Sequence, residues 1–526
     1  MTLARKIPGY LIFCVAALFL SGCETERKPV IKMSGDRSSA RPPAAIQLPG
    51  FFSHNMVLQQ GMTVPIWGWS SKEDETVTVT FRDQKVSTKV KDGKWMARLK
   101  SLKASSAPES LTVSSDSGSV TLTNVLVGEV WVASGQSNME FGLRGSFEST
   151  NDIARAANSN IRLFTVPKLK AESPTNNVPA SWLECNPQSA ANFSAVAYYF
   201  GRDLQKARGV PVGLIHTSWG GSPAEVWMSE PVLQSNPRYK REILDSYAPQ
   251  GERFKEQVAQ FEKEQAEARR AGQAFTKRRP TAPWRPTELY NGMIAPLVPL
   301  AIKGAIWYQG ESNAGRAEQY RTLFADMIRN WRHDWAEGDF TFLEVQLAPF
   351  MKIKEQPADS SWAELREAQL LATKVLPKVG MAVITDVGEE NDIHPKKKEP
   401  VGARLAVAAR GIAYGEKIEF SGPVYKSMKV RDDKVVLSFD HVGQGLEARG
   451  GALKGFSICG DDHKFVWALA DIQDNTVVVS SPNVSKPVAV RFGWADYPVV
   501  NLWNRNGLPA TPFRTDDFPL TTAPKK

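Results

Sequence analysis

From Gly128 onward, apolar runs that fit buried strands alternate with segments of helical periodicity, and this constrains the fold more than any other feature. "EVWVASG", "VPVGLIHTSWGG", "IKGAIWYQGESN", "FTFLEVQLAPF" and "VGMAVITDVGEEN" each end in a polar loop. Between them, "AVAYYFGRDLQKA", "AEQYRTLFADMIRNWRHDW" and "SWAELREAQLLATKVL" repeat their apolar positions every three to four residues. Strands apolar on both faces need cover on both faces, so the pattern predicts an α/β domain with layers of helices around a mostly parallel sheet.

The flanks read differently. Residues 47–125 and 419–526 hold short runs of period two with turn dipeptides such as Asp92-Gly93, which predicts a β-sandwich-like module on each side of an α/β domain at 126–418. Residues 229–284 break the alternation with a polar, charged stretch, predicted to be an insertion forming a long solvated helix or helical hairpin over one side of the site.

At the start, Arg5 and Lys6 precede an apolar run from Tyr10 to Leu20, the pattern of a secretory signal too short to span a bilayer. "LSGC" resembles a bacterial lipobox, which would make residues 1–23 a signal peptide, Cys23 the lipidated residue and 24–46 a tether. The expected location is therefore outside the cytoplasm, on a membrane through a lipid anchor. Glu24 in place of aspartate after the cysteine favours the outer membrane where one exists. Cys185 and Cys459 lie too far apart in sequence for spacing to decide between a disulfide and two buried thiols. The net charge of +9 is scattered and no basic stripe alternates with aromatics, which argues against a nucleic-acid partner. Fifteen tryptophans suit a well-packed exported protein and also sugar binding.

In parallel α/β sheets ligands sit at the carboxyl ends of the strands. At those ends stand Ser137, the pair Gly220-Gly221, Asn313, and His394 with aspartates nearby. A serine hydroxyl attacks well only when a base takes its proton; histidine does so near neutral pH, with a carboxylate fixing its tautomer. Backbone N–H groups of a glycine loop and an asparagine amide suit a developing oxyanion. Neither His-Glu-x-x-His nor paired Cys-x-x-Cys occurs, nor a phosphate-cradling glycine loop, so no metal or cofactor is expected. Met139 stands where the Gly-x-Ser-x-Gly elbow needs its second glycine, which argues against the lipase-type fold.

"GQSNM", "WYQGESNA" and "NDIHP", in this order, resemble the sialate O-acetylesterase-like family of SGNH (GDSL-type) hydrolases. So do "HNMVLQQ", "GLIHTSWGGSPAEVW", "LYNGMIAPL", "GPVYKSM" and "GLPATPFRTD", which spread the resemblance over nearly all of the chain beyond the tether. The resemblance implies a flavodoxin-like three-layer domain, an O-acetylated carbohydrate as substrate, Ser137 as nucleophile and His394 as base. It also implies an oxyanion hole from the Ser137 N–H, the Asn313 amide and one of Gly220 and Gly221; the Gly-x-Ser spacing favours Gly220. The triad acid is less defined, because Asn391 stands three residues before His394 where the family often has aspartate. Asp392 is preferred and Asp386 is the alternative.

Each of these residues also has a plainer reading. Ser137 and Asn313 are common turn residues, and "PKKK" reads as the solvated start of a helix. Gln309, Glu311 and Trp219 either line the pocket or hold its loops. His216 lies close enough to the glycine pair to reach substrate; His54, His333, His441 and His463 read as structural or surface residues. Two competing functions remain: an esterase of the same fold acting on acetylated xylan or another plant or algal polysaccharide, and a non-catalytic carbohydrate-binding lipoprotein.

Overall fold

The computed structural model describes residues 46–524; the expected signal peptide with Cys23, and the expected tether up to its last residue, lie outside them. A large mixed sheet organises the chain. Its strands are β1 (Gly118–Gly135), β2 (Asn158–Thr165), β3 (Leu183–Cys185), β4 (Val212–Ser218), β5 (Gly304–Tyr308), β6 (Thr341–Val345) and β7 (Val379–Ala382), in the spatial order β3-β2-β4-β1-β5-β6-β7. All neighbours are parallel except the edge pair β3 and β2. The register sets Ser218 and Tyr308 on either side of Gly135, so three motif loops leave the sheet side by side.

The principal helices are α1 (Ser137–Glu140), α2 (Ala195–Arg208), α3 (Asp245–Arg270), α4 (Ala317–Trp335), α5 (Ser361–Val375) and α6 (Glu399–Ile412). Alternation along the strands gives each face of the sheet its own core. Trp131, Ala133, Leu214 and Ile306 pack with Val196, Phe200 and Leu405 of α2 and α6. Val130, Val132, Ile215 and Trp307 pack with Leu323, Trp331 and Leu365 of α4 and α5. Side-chain caps start two of these helices: Ser194 accepts from the Ala197 N–H and Ser360 from the Ala363 N–H, each contributing about 1 kcal/mol.

The expected boundary at 125/126 falls inside β1. Its first half pairs with Ser105–Ser115 in the N-terminal β module and its second half is the centre of the large sheet. The module's Val77, Val79 and Val113 share one core with the α/β domain, and the described residues 46–524 belong to one compact unit. The C-terminal module is two four-stranded sheets and a two-stranded one around a core including Leu437, Ile458, Val479 and Phe492.

The insertion departs from the expected helical hairpin. Helix α3 buries no residue, as its charge pattern predicts, but the chain returns from Gly272 without regular structure. Pro280, Pro283 and Pro286 lack the N–H that a helix interior needs, which disfavours a helix in the second half of the return. It is tied to α3 by an edge contact between Phe261 and Phe275 and by ion pairs from Lys277 to Glu264 and Arg279 to Glu262.

Candidate active site

β1 ends at Gly135, whose φ of 136° suits glycine; a Cβ there would stand 2.2 Å from the Tyr308 carbonyl oxygen. After this turn Ser137 opens α1 at the sheet's carboxyl edge. The loop after β7 brings His394 against it, with 2.8 Å between His394 Nε2 and Ser137 Oγ. Asp392 Oδ1 accepts the His394 backbone N–H at 2.9 Å and lies 3.6 Å from His394 Nδ1, a charge contact longer than a formed hydrogen bond. Asp386 is turned away: Arg404 takes both of its oxygens, at 2.6 and 2.8 Å. Of the two aspartates, Asp392 is the one at the imidazole. Burial and the charge of Lys398 lower the His394 pKa below its usual 6.5, against the opposing pull of Asp392.

The glycine pair runs alongside. A Cβ on Gly220 would lie 3.2 Å from that of Ser137, and the Gly220 N–H donates to Glu140 Oε2 at 2.7 Å. Gly221, at φ 78°, is exposed, and its carbonyl accepts from Ser312 Oγ at 3.0 Å. Asn313 is buried. Its Nδ2 donates to Glu225 at 3.0 Å, and its Oδ1 accepts from the Ala224 N–H and from Gln309 Nε2. One amide hydrogen is thereby engaged and one is left over.

Gln309 and Glu311 resolve toward holding loops. Gln309 is fully buried; it donates to the Ser222 carbonyl and Asn313, and accepts from Tyr320. Glu311 Oε1 accepts from Asn138 Nδ2 at 2.6 Å, while Oε2 is inaccessible and without a partner among the described residues; burial raises its pKa. Trp219 stands edge-to-face with Trp284 at 5.7 Å, with Lys168 and Lys170 over its ring. His216 is buried, 2.6 Å from Ser218 Oγ, and burial lowers its pKa to about 4, which keeps the ring neutral. Lys398 of "PKKK" is fully buried instead of solvated, because Asn138 and Phe141 of the serine turn close over it. Cys185 and Cys459 are separate buried thiols.

A cavity of about 380 Å³ opens beside Gly221 and Ser312, bounded by Arg316 and, from the insertion, by Tyr247, Gln250 and Trp284. Sequence reasoning missed these last residues. A polar helix face carries the same signal whether it meets water or a ligand; only Trp284, an aromatic amid prolines and arginines, stood out from its surroundings.

A hydroxyl in contact with an imidazole, beside a glycine turn whose Gly221 borders a polar cavity, makes a site able to transfer acyl groups. Comparison with known proteins agrees. Residues 274–410 match the family model for the carbohydrate esterase, sialic acid-specific acetylesterase domain. Sialate O-acetylesterase from Rattus norvegicus is 30% identical over 71% of this chain and 74% of its own, and the enzyme from Homo sapiens is 29% identical over 74% and 75%. A crystal structure of a carbohydrate acetylesterase from Xanthomonas citri is similar at 38% identity and a TM-score of 0.78, over 90% of this chain and 100% of its own. The chain belongs to the sialate O-acetylesterase family and is an esterase.

Proposed function

We propose that the protein removes O-acetyl groups from carbohydrate by serine acyl transfer within a flavodoxin-like three-layer SGNH domain. The 2.8 Å contact between Ser137 Oγ and His394 Nε2 carries this reading. Ser137 Oγ attacks the acetyl carbonyl while His394 takes the hydroxyl proton. The negative charge on the carbonyl oxygen is met by the Ser137 N–H, by one N–H of the Gly220–Gly221 turn, that of Gly220 only once it leaves Glu140 Oε2, and by the second amide hydrogen of Asn313. The tetrahedral intermediate collapses, the bond to the sugar oxygen breaks, and His394 returns the proton to that oxygen. Water, deprotonated by His394, then attacks the acetyl-serine; acetate leaves and the proton returns to Ser137. Asp392 stabilises the imidazolium formed in both halves.

The leaving sugar fits the cavity beside Gly221, where hydroxyl groups find Tyr247, Gln250 and Arg316 and a ring face finds Trp284. Joint replacement of Tyr247 and Gln250 by alanine should raise KM for an acetylated sugar about tenfold, from two lost hydrogen-bonding groups. The same variant should hydrolyse 4-nitrophenyl acetate within about twofold of the parent. Parallel kinetics on the two esters check this. His394 must be neutral to act, and its pKa is lowered, so kcat/KM should fall on the acid side with its midpoint at a pH below 6.5.

Export and lipid anchoring at Cys23 complete the proposal, supported by "LSGC" and the preceding apolar run. The test of function is acetate release from an O-acetylated sialic acid, acetylated xylan and 4-nitrophenyl acetate. Turnover of the sialate ester above xylan supports the sialate reading, and the reverse order supports the polysaccharide alternative. Absence of acetate from all three contradicts esterase activity and favours the binding protein.

A further inference from the structure

Beneath the Ser137–His394 pair lies a polar cluster that the steps above do not use. Lys398, fully buried in the turn before α6, donates from Nζ to Asn138 Oδ1. Asn138, next to the nucleophile, donates from Nδ2 to Glu311 Oε1 at 2.6 Å and to the carbonyl of Ile393 at 3.0 Å, the residue before the histidine. The aromatic rings of Phe141 and Tyr308 lie 4.9 and 5.3 Å from the Lys398 ammonium. Three motif loops, from β1, β5 and β7, thus meet on one side-chain amide and one buried amine.

We propose that Lys398 is a positioning residue: through Asn138 it locks the histidine loop onto the nucleophile turn, and it sets a buried amine beside that loop. The inference rests on the reading of Ser137 and His394 as the reacting pair. A buried ammonium is costly unless partners compensate it, so its retention beside the histidine needs a reason. Asn138 alone would need only a neutral donor at this place; the ammonium adds a field directed at the imidazole.

The charges around the two groups are few. His394 faces Asp392, which favours its protonation, and Lys398, which opposes it. Lys398 faces Glu311, Asp392 and Glu389, while the buried hydroxyl of Tyr308 faces Glu311 and Arg366. Burial lowers the Lys398 pKa to about 7, above the depressed value of His394. On the acid side of that value Lys398 is charged, and there its charge opposes protonation of the imidazole.

The test is the pH profile of kcat/KM for 4-nitrophenyl acetate on the full chain, comparing the parent with Lys398→Met and Lys398→Arg. Without the ammonium His394 protonates more easily. The acid limb of Lys398→Met should move up by about half a pH unit or more, a loss of about threefold on the acid side, with KM within about twofold. Lys398→Arg keeps the charge and should hold the limb near its parental position. Should the methionine variant fail to fold, Lys398→Gln, which retains a donor for Asn138, is read in the same way. A folded variant with the limb unmoved or moved down, or an arginine variant that shifts like the neutral ones, overturns the proposal. A parent that releases no acetate refutes the underlying reading instead.

Discussion

Replacing Ser137 by alanine is expected to reduce kcat/KM for acetyl esters by about a thousandfold or more, because nucleophilic attack is lost while the oxyanion donors stay in place. The fold should be untouched. The only side-chain hydrogen bond of Ser137 among the described residues is the one to His394, and the turn geometry is set by Gly135 and by the Gln136 N–H donating to the Tyr308 carbonyl. The check is steady-state hydrolysis alongside thermal unfolding. Lost turnover with an unchanged melting temperature is the expected pair of results. Turnover within tenfold of the parent would mean that another group attacks the ester.

Replacing Asp392 by asparagine should cost about ten- to a hundredfold in kcat, and replacing Asp386 by asparagine should leave kcat near the parental value. The first figure is set below that of a fully buried triad because the Asp392 side chain is 43% exposed and 3.6 Å from Nδ1, where water screens the charge. The carboxylate still holds the loop by accepting the His394 backbone N–H, so part of the loss would come from a looser imidazole. Asp386 acts elsewhere, bound on both oxygens by Arg404 of α6, and its removal should lower stability before activity. Kinetics of the two variants decide the assignment; equal losses from both would contradict it.

The α/β core was legible because its signal is local. A strand such as "EVWVASG" is apolar on both faces wherever its neighbours come from, and parallel pairing then delivers Ser137, Gly220 and Asn313 to one edge of the sheet. His394 and Asp392 were legible as a motif. What the sequence did not reveal depends on contacts between distant residues. Lys398 reads as a solvated charge until Asn138, 260 positions away, closes over it. Gln309 and Glu311 stand among site motifs, yet their polar atoms bond to Tyr320, Ser222 and Asn138, far from them in sequence or on other loops. The 125/126 boundary was drawn where alternation stops, but a strand can change its surroundings without ending, and β1 does. The return limb of the insertion departs from the expected hairpin because a charged helix suggested a second one, although Pro280, Pro283 and Pro286 already spoke against a helix near its end.

The central claim is that Ser137 becomes acylated. Labelling the full chain with a fluorophosphonate, followed by peptide mass analysis, tests it most directly. The account predicts one adduct per chain, on the peptide holding Ser137, with acetate release falling in proportion to labelling and no adduct in the Ser137→Ala variant. An adduct on another residue, or full acetate release from a chain that takes no label, would contradict it.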